Sequence, residues 1–131
     1  MNEKINLKLP CKPEFINVAR MNISVIANNM KMDYEVIQDL KVAISEACNN
    51  VIIHSDSESH YEIDFIVKRE KLVVEINDFG NGFDFGNYNE PDLENPKESG
   101  LGLFIIDSLM DEFEIETKNG NGTKIRMIKN V

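Results

Sequence analysis

The chain has 131 residues, 42% hydrophobic and 28% charged, which is typical of a single globular domain spanning residues 1–131 with a real hydrophobic core. Its formal net charge of -9, without a cluster of Lys and Arg, argues against direct binding to nucleic acid. Because no apolar run approaches the ~20 residues of a membrane helix and no apolar signal segment opens the chain, we expect a cytoplasmic protein without membrane contact.

The first predicted elements are a strand and a helix. Ile5, Leu7 and Leu9 alternate with polar residues, which indicates a short strand. Pro13 suits the first turn of a helix because its fixed φ is already helical. The residues that then recur at helical spacing are Phe15, Val18, Asn22, Val25 and Ile26.

A second, longer helix is predicted after Asp33, which is a suitable N-cap. Its buried stripe is expected to contain Ile37, Leu40, Ile44, Cys48 and Val51. Cys48 is therefore expected to be a reduced core residue. The two cysteines and two histidines of the chain favour neither a disulfide framework nor a zinc site.

Two polar residues of this second helix, Glu46 and Asn50, form an i,i+4 pair at the flank of the apolar stripe. An Asn amide oxygen is a suitable ligand for Mg²⁺, which proteins often hold with few side chains and the phosphates of a substrate. A neighbouring Glu could accept the proton of a hydroxyl or water that attacks a phosphate. The alternative is an ordinary polar flank of an amphipathic helix.

Two strands are predicted next, one through Tyr61, Ile63, Phe65 and Val67 and one over residues 72–78. The pleat of the second strand places Asp78 on the buried face at its end. A buried carboxylate needs a polar partner, and the amine of adenine would suit it. Gly80 and Gly82 leave room for a ligand. The alternative is an Asx-turn that closes the strand.

Residues 83–99 lack periodicity and hold two prolines, so we expect a functional loop, such as a lid. Ser99 is expected to cap an apolar helix that runs from Leu101 to about Met110. Gly100 and Gly102 each cost about 1 kcal/mol of helix stability relative to Ala. Exposed backbone N–H groups at a glycine-rich helix start can hold phosphate oxygens, which is a reason to tolerate that cost.

Two last strands are predicted, one over residues 113–117 and one over residues 123–127. The order of elements is then β-α-α-β-β-lid-α-β-β. This order indicates an α+β fold, a two-layer sandwich in which helices cover one face of a mixed, mainly antiparallel sheet.

The order and spacing of these motifs resemble the GHKL ATPase superfamily. Residues 46–50, 78–82 and 100–102 resemble its N, G1 and G2 boxes, and Gly122-Thr123 resembles its last nucleotide contact. Within the superfamily the chain looks like the anti-sigma-factor serine/threonine kinases, on the stretches at residues 45–47, 100–104 and 109–112. The resemblance covers essentially the whole chain.

The resemblance implies a site for ATP and Mg²⁺. Glu46 would be the general base, Asn50 would coordinate Mg²⁺, and Asp78 would hold adenine. The other expected nucleotide-binding residues are Gly80, Gly82, Ser99, Gly100, Leu101, Gly102 and Thr123. One departure from many relatives is Glu98, an acid where they carry a base, which would repel phosphate and lower the catalytic rate.

The resemblance also implies two protein partners. The protein would sequester a sigma factor and phosphorylate a serine or threonine of an anti-anti-sigma factor. Arg20, on the first helix, is the candidate partner-binding residue, and a homodimer is expected. Two alternatives remain: a nucleotide-gated binding module with little catalysis, and a structural α+β domain without a ligand.

Overall fold

The structure, a computed structural model, describes residues 2–55, 58–78, 98–118 and 122–131. Five strands and three α-helices follow one another in these residues. Their bounds are β1 Glu3–Pro10, α1 Ile16–Asn29, α2 Tyr34–His54, β2 His60–Val67, β3 Lys71–Asp78, α3 Glu98–Leu109, β4 Glu112–Lys118 and β5 Gly122–Asn130. A single 3-10 turn, Pro13–Phe15, leads into α1.

The strands form one sheet in the order β1-β2-β3-β5-β4. All four pairings are antiparallel, so the described sheet is wholly antiparallel rather than mixed. The β2–β3 connection is tight, with the Lys68 N–H donating to the Lys71 carbonyl at 3.0 Å. The predicted α+β sandwich is confirmed, and the two outermost strands are β1 and β4.

Alternation along each strand decides which side chains face the helices. Leu72, Val74, Ile76 and Asp78 of β3 are all buried, as the sequence predicts. The side chains beside them in the register come from β2 and β5, and they include Ile63, Phe65, Ile125 and Met127. Together with the helices they form one hydrophobic core.

Helix α2 lies at the centre of the helical layer and packs against both α1 and α3. Asp33 occupies its N-cap position, and four of the five predicted stripe residues are buried, with Ile37 half-buried. Cys48 is fully buried, and burial raises the pKa of its thiol to about 12. The thiol therefore stays protonated at neutral pH, as expected of a core cysteine.

Helix α1 is rotated relative to the predicted apolar row. Of that row only Ile26 is buried, whereas Phe15, Val18 and Val25 are between 37% and 60% exposed. The face turned toward α2 and the sheet carries Ala19, Ile23, Ile26 and Ala27. The two alanines permit close approach of the helix backbone. Close packing of this face therefore outweighs burial of the larger Phe and Val side chains.

Helix α3 begins at Glu98, so Ser99 lies in its first turn and is not the N-cap that the sequence predicts. The other end of α3 is tied to the sheet. Lys129 Nζ of β5 donates a hydrogen bond to the Leu109 carbonyl at 2.8 Å, where a cation also complements the helix dipole. This contact helps to set the position of α3 beside α2.

None of the helices that the structure describes is both long and apolar enough to cross a membrane.

Candidate functional site

Glu46 and Asn50 of α2 meet Gly102 of α3. A Cβ added to Gly102 would lie 2.9 Å from Glu46 Oε2 and 3.0 Å from Asn50 Nδ2, which is closer than side-chain packing normally permits. Only a glycine therefore fits here without moving the two polar side chains. The i,i+4 pair predicted from the sequence lies directly against the glycine-rich start of the next helix.

Asn50 is a buried polar residue, with 2% of its surface exposed. Its Nδ2 donates to the Glu46 carbonyl at 2.9 Å, one turn earlier in α2. Its Oδ1 is buried and has no hydrogen-bond partner among the described residues. An unpartnered buried acceptor costs about 1–3 kcal/mol, so this oxygen is suited to a ligand that supplies positive charge or a donor.

A cleft of about 220 Å³ opens between α2 and α3 at this point. Its lining residues are Glu46, Asn49, Asn50, Ile53, Leu101, Gly102 and Ile105. Gly100 lies outside it, and a Cβ at that position would meet nothing within 4 Å. The cleft therefore brings four of the residues predicted for the site onto one surface: Glu46, Asn50, Leu101 and Gly102.

Asp78 and Thr123 form a second polar pair, on the sheet. They are directly opposite each other in the β3–β5 register and are 3% and 4% exposed. Tyr61 of β2 is the partner of Asp78 on the other side, so the three side chains share one row on the helix-covered face. At this row the helix-covered face of the sheet changes from apolar to polar side chains.

Tyr61 connects this row to α2. Its ring is fully buried, and its hydroxyl lies beside the thiol of Cys48, two residues along the helix from Glu46 and from Asn50. Burial, with the neighbouring thiols, raises the pKa of Tyr61 well above its usual range, so the phenol stays neutral. Tyr61 therefore joins the sheet row to the segment of α2 that carries Glu46 and Asn50.

Several predicted residues lie elsewhere. Gly80, Gly82 and residues 83–97 of the predicted lid lie outside the described residues. Ser99 and Gly100 lie in the first turn of α3. Arg20 lies on α1, away from the cleft, and is half-buried.

The sequence analysis did not single out two residues of the cleft, Ile53 and Ile105. Ile53 lies seven residues after Glu46, on the same side of α2, and Ile105 lies one turn after Gly102. They could have been identified from that spacing once Glu46 and Gly102 were known to face each other. Asn49 is exposed and also lines the cleft.

Comparison with known proteins confirms the family resemblance. Residues 9–129 match the histidine kinase-like ATPase domain. The chain is 35% identical to the serine-protein kinase RsbW of Listeria monocytogenes, over 92% of this chain and 83% of that one. It is 40% identical to the serine-protein kinase RsbW of Oceanobacillus iheyensis, over 88% and 80% of the two chains.

Two solved structures share the fold. One is from the SiaB–SiaC complex of Pseudomonas aeruginosa, with a TM-score of 0.72, 12% identity, and coverage of 95% of this chain and 88% of that one. The other contains RsbU and RsbW domains of a Mycobacterium tuberculosis protein, with a TM-score of 0.71, 17% identity, and coverage of 97% and 32%. At these identities the likeness concerns the fold alone.

Proposed function

The chain belongs to the histidine kinase-like ATPase family, and within it to the RsbW serine-protein kinases; from this membership we propose that it is an ATP-dependent anti-sigma kinase. In this proposal it sequesters a sigma factor and phosphorylates a serine or threonine of an anti-anti-sigma factor. The observation that carries the proposal is the close approach of the Glu46 and Asn50 side chains to Gly102 of α3, where an added Cβ would lie 2.9 Å and 3.0 Å from them.

ATP would bind with its adenine at Asp78 and its phosphates at the start of α3. Asp78 is an acceptor-only group when ionised, which suits an exocyclic amine, and Thr123 is its neighbour across the strands. Gly80 and Gly82 would border the base. The backbone N–H groups of residues 99–102 begin a helix, where the dipole and the free N–H groups both favour phosphate oxygens.

Asn50 is the residue that would hold Mg²⁺. Its buried Oδ1 lacks a partner among the described residues, and an amide oxygen is one of the hard ligands that magnesium accepts. The described residues contain no cluster of three His, Cys, Asp or Glu side chains that could bind a metal by themselves. A magnesium ion that shares its coordination with phosphates fits this sparse site, and it would supply charge neutralisation.

Glu46 would act as the general base of the transfer. The acceptor hydroxyl oxygen forms a bond to the γ-phosphorus while the bond from that phosphorus to the β,γ-bridging oxygen breaks. The hydroxyl proton passes to the Glu46 carboxylate and then to solvent. The products are the phosphorylated protein and ADP. Gly102 helps by leaving the space in which Oε2 of Glu46 lies.

Phosphorylation would release the antagonist and leave the sigma factor bound. Arg20 on α1 is the proposed partner contact. Exposed apolar side chains lie on the same helix and on the turn before it, and they suit a protein interface or a homodimer: Phe15, Val18, Met21 and Val25. The proposal treats residues 1–131 as one domain that works in the cytoplasm, where transcription factors are bound.

The test is transfer of labelled γ-phosphate from ATP–Mg²⁺ to purified anti-anti-sigma proteins encoded in the same genome. We expect one of them to be labelled on a single serine or threonine, and we expect labelling to require Mg²⁺. An antagonist whose target residue is replaced by Ala is the control.

A protein that binds ATP but labels no antagonist would contradict the kinase proposal. If ATP then changed its affinity for a sigma factor or an antagonist, a nucleotide-gated binding module would be the better description.

A further inference from the structure

Helix α3 is held against the core by a small number of apolar side chains. Among the described residues, the large buried ones are Leu103 and Ile106 within the helix and Met110 just after its end. Their spacing of three and four residues places them on one side of the helix. Because burial of apolar area has no preferred direction, these side chains fix which side of α3 faces the core more strongly than its position along its own axis.

A directional contact is added where α3 ends. Lys129 Nζ, from β5, donates a hydrogen bond to the Leu109 carbonyl at 2.8 Å and lies 3.9 Å from Asp111 Oδ1. The Lys129 side chain is only 17% exposed, so solvent screens these contacts less than it would at an open surface. A hydrogen bond requires a narrow range of distance and angle, so this one fixes where the end of α3 lies relative to β5.

Asp111 attaches the chain after α3 to the same strand. Its backbone N–H donates to the Ile128 carbonyl at 3.0 Å, and its Oδ2 accepts from the Asn130 N–H at 2.7 Å. These two residues of β5 directly precede and follow Lys129. Lys129 is therefore placed opposite the end of α3 by backbone contacts on both of its sides.

The position of α3 matters most at Gly102. Gly102 and Leu109 are seven residues apart, which is about 10 Å along the helix axis. Because the helix joins each residue to the one four positions on, a segment this short moves as one body. An added Cβ at Gly102 would lie 2.9 Å from Glu46 Oε2, so little free space separates α3 from the Glu46 side chain. A shift at Leu109 therefore changes the contact at Gly102.

We propose that Lys129 is a positioning residue for the phosphotransfer. Its hydrogen bond to the Leu109 carbonyl fixes the position of α3 along its axis, and with it the place of the phosphate-binding helix start relative to Glu46. Lys129 contacts neither nucleotide nor acceptor and acts only through α3. This inference rests on the proposed function but concerns a separate property, the contact that holds the two catalytic helices in register.

The experiment compares Lys129→Met and Lys129→Arg with wild type, using the antagonist that wild type phosphorylates. Met keeps the apolar stem and removes the donor, so single-turnover transfer at saturating ATP–Mg²⁺ should fall about tenfold, as small displacements of reacting groups reduce rates. Arg keeps a charged donor and should restore most of the rate. A Lys129→Met protein that unfolds at lower urea but transfers phosphate at the wild-type rate would overturn the proposal, because the contact would then be merely structural.

Lys124→Met is the matched control. Lys124 is a lysine of the same strand, 34% exposed, and its Nζ lies 3.7 Å from Glu75 Oε2 on the open face of the sheet. Its replacement should leave the transfer rate unchanged. An equal fall in both variants would overturn the proposal, since loss of positive charge from β5 would then be the cause.

A double variant tests whether Lys129 acts through α3. If Gly102→Ala has already disturbed the contact with Glu46, Lys129→Met should cause little further loss of transfer in that background. Fully additive losses would contradict an action of Lys129 at Gly102.

A measurement that does not depend on kinase activity is the backbone amide signal of Gly102 in nuclear magnetic resonance spectra of the protein without nucleotide. It should shift in Lys129→Met and stay in place in Lys124→Met; an unchanged signal in Lys129→Met would overturn the proposal. If Lys129→Met does not fold, Lys129→Gln, which also removes the charge, is measured in the same way. If wild type labels no antagonist, the proposed kinase function fails, whereas the Gly102 signal still tests the control of α3 by Lys129.

Discussion

Polar side chains occur in two very different settings on the two faces of the sheet. On the helix-covered side, the described residues include three buried polar side chains, those of Asn50, Asp78 and Thr123. On the other face, ion pairs such as Lys124–Glu75 at 3.7 Å and Arg126–Glu114 at 4.0 Å lie at least partly in solvent. The first setting is costly to build, whereas the second is not.

This difference indicates where function is found. A buried acceptor such as Asn50 Oδ1 destabilises the free protein unless a ligand compensates for it. Arg126 Nε on the open face is also buried without a partner among the described residues, so Asn50 is distinguished by its position beside Glu46 and Gly102. Exposed ion pairs contribute about 0–1 kcal/mol each and mark only a soluble surface. The predictions below therefore expect large functional effects on the helix-covered side and small effects on the open face.

The largest effect is expected for Glu46→Gln. Gln has nearly the same shape but cannot accept the hydroxyl proton, so phosphotransfer should fall about 10²–10⁴-fold. ATP affinity should be retained, because the base is needed only during transfer. Single-turnover transfer and calorimetry measure the two quantities, and a wild-type transfer rate would show that another group is the base.

Asp78→Asn should act on binding instead. The amide replaces an acceptor-only carboxylate with a mixed group, and loss of a charged hydrogen bond costs about 1.5–3 kcal/mol. ATP affinity should therefore fall by roughly 10- to 150-fold, as measured by calorimetry on protein shown to be folded by circular dichroism. Unchanged affinity would mean that adenine lies elsewhere.

Asn50→Ala tests the unpartnered buried oxygen. Loss of a metal ligand should weaken Mg²⁺-dependent ATP binding and transfer, each by roughly 10- to 100-fold. The free energy of unfolding should change by less than about 1 kcal/mol, because loss of the Nδ2 hydrogen bond to the Glu46 carbonyl is offset by removal of the buried Oδ1, which has no partner among the described residues. ATP titrations with and without Mg²⁺ check the first point. A large loss of stability in urea would assign Asn50 a structural role.

Gly102→Ala should displace Glu46. A Cβ there lies 2.9 Å from Glu46 Oε2, and small shifts of a reacting group reduce rates, here by about tenfold or more. Gly100→Ala separates this effect from phosphate contact: its Cβ meets nothing within 4 Å in the free protein, so any loss there should appear as weaker ATP binding and not as displacement of Glu46. An unchanged transfer rate in Gly102→Ala would contradict the close contact of α2 and α3.

The smallest effect is expected on the open face of the sheet. Lys4 and Asp64 are 3.7 Å apart, and the Lys4 side chain is 63% exposed. Lys4→Met should change the free energy of unfolding by at most about 0.5 kcal/mol, because solvent screens the pair, and should leave transfer unchanged. A larger change in the free energy of unfolding, measured by urea denaturation, would contradict the expected difference between the two faces.

Much of the fold could be predicted because burial follows a period in the sequence. The row that ends in Asp78 and the stripe through Leu40 and Ile44 were both correct, since each element has one clearly apolar face. Helix α1 was different. It has two apolar faces, and hydrophobicity favours the one with Val18 and Val25, whereas the face that is buried in the core carries Ala19 and Ile23.

The amino-acid sequence by itself determined the kinds of elements, the buried position of Asp78 and the pairing of Glu46 with Asn50, because these depend on neighbours within one helix or strand. Only the tertiary structure decided that Gly102 lies against that pair and that Ile53 and Ile105 line the same cleft. Periodicity indicates which residues of a helix share a face. The rotation of that helix and the element it packs against depend on how closely two backbones can approach.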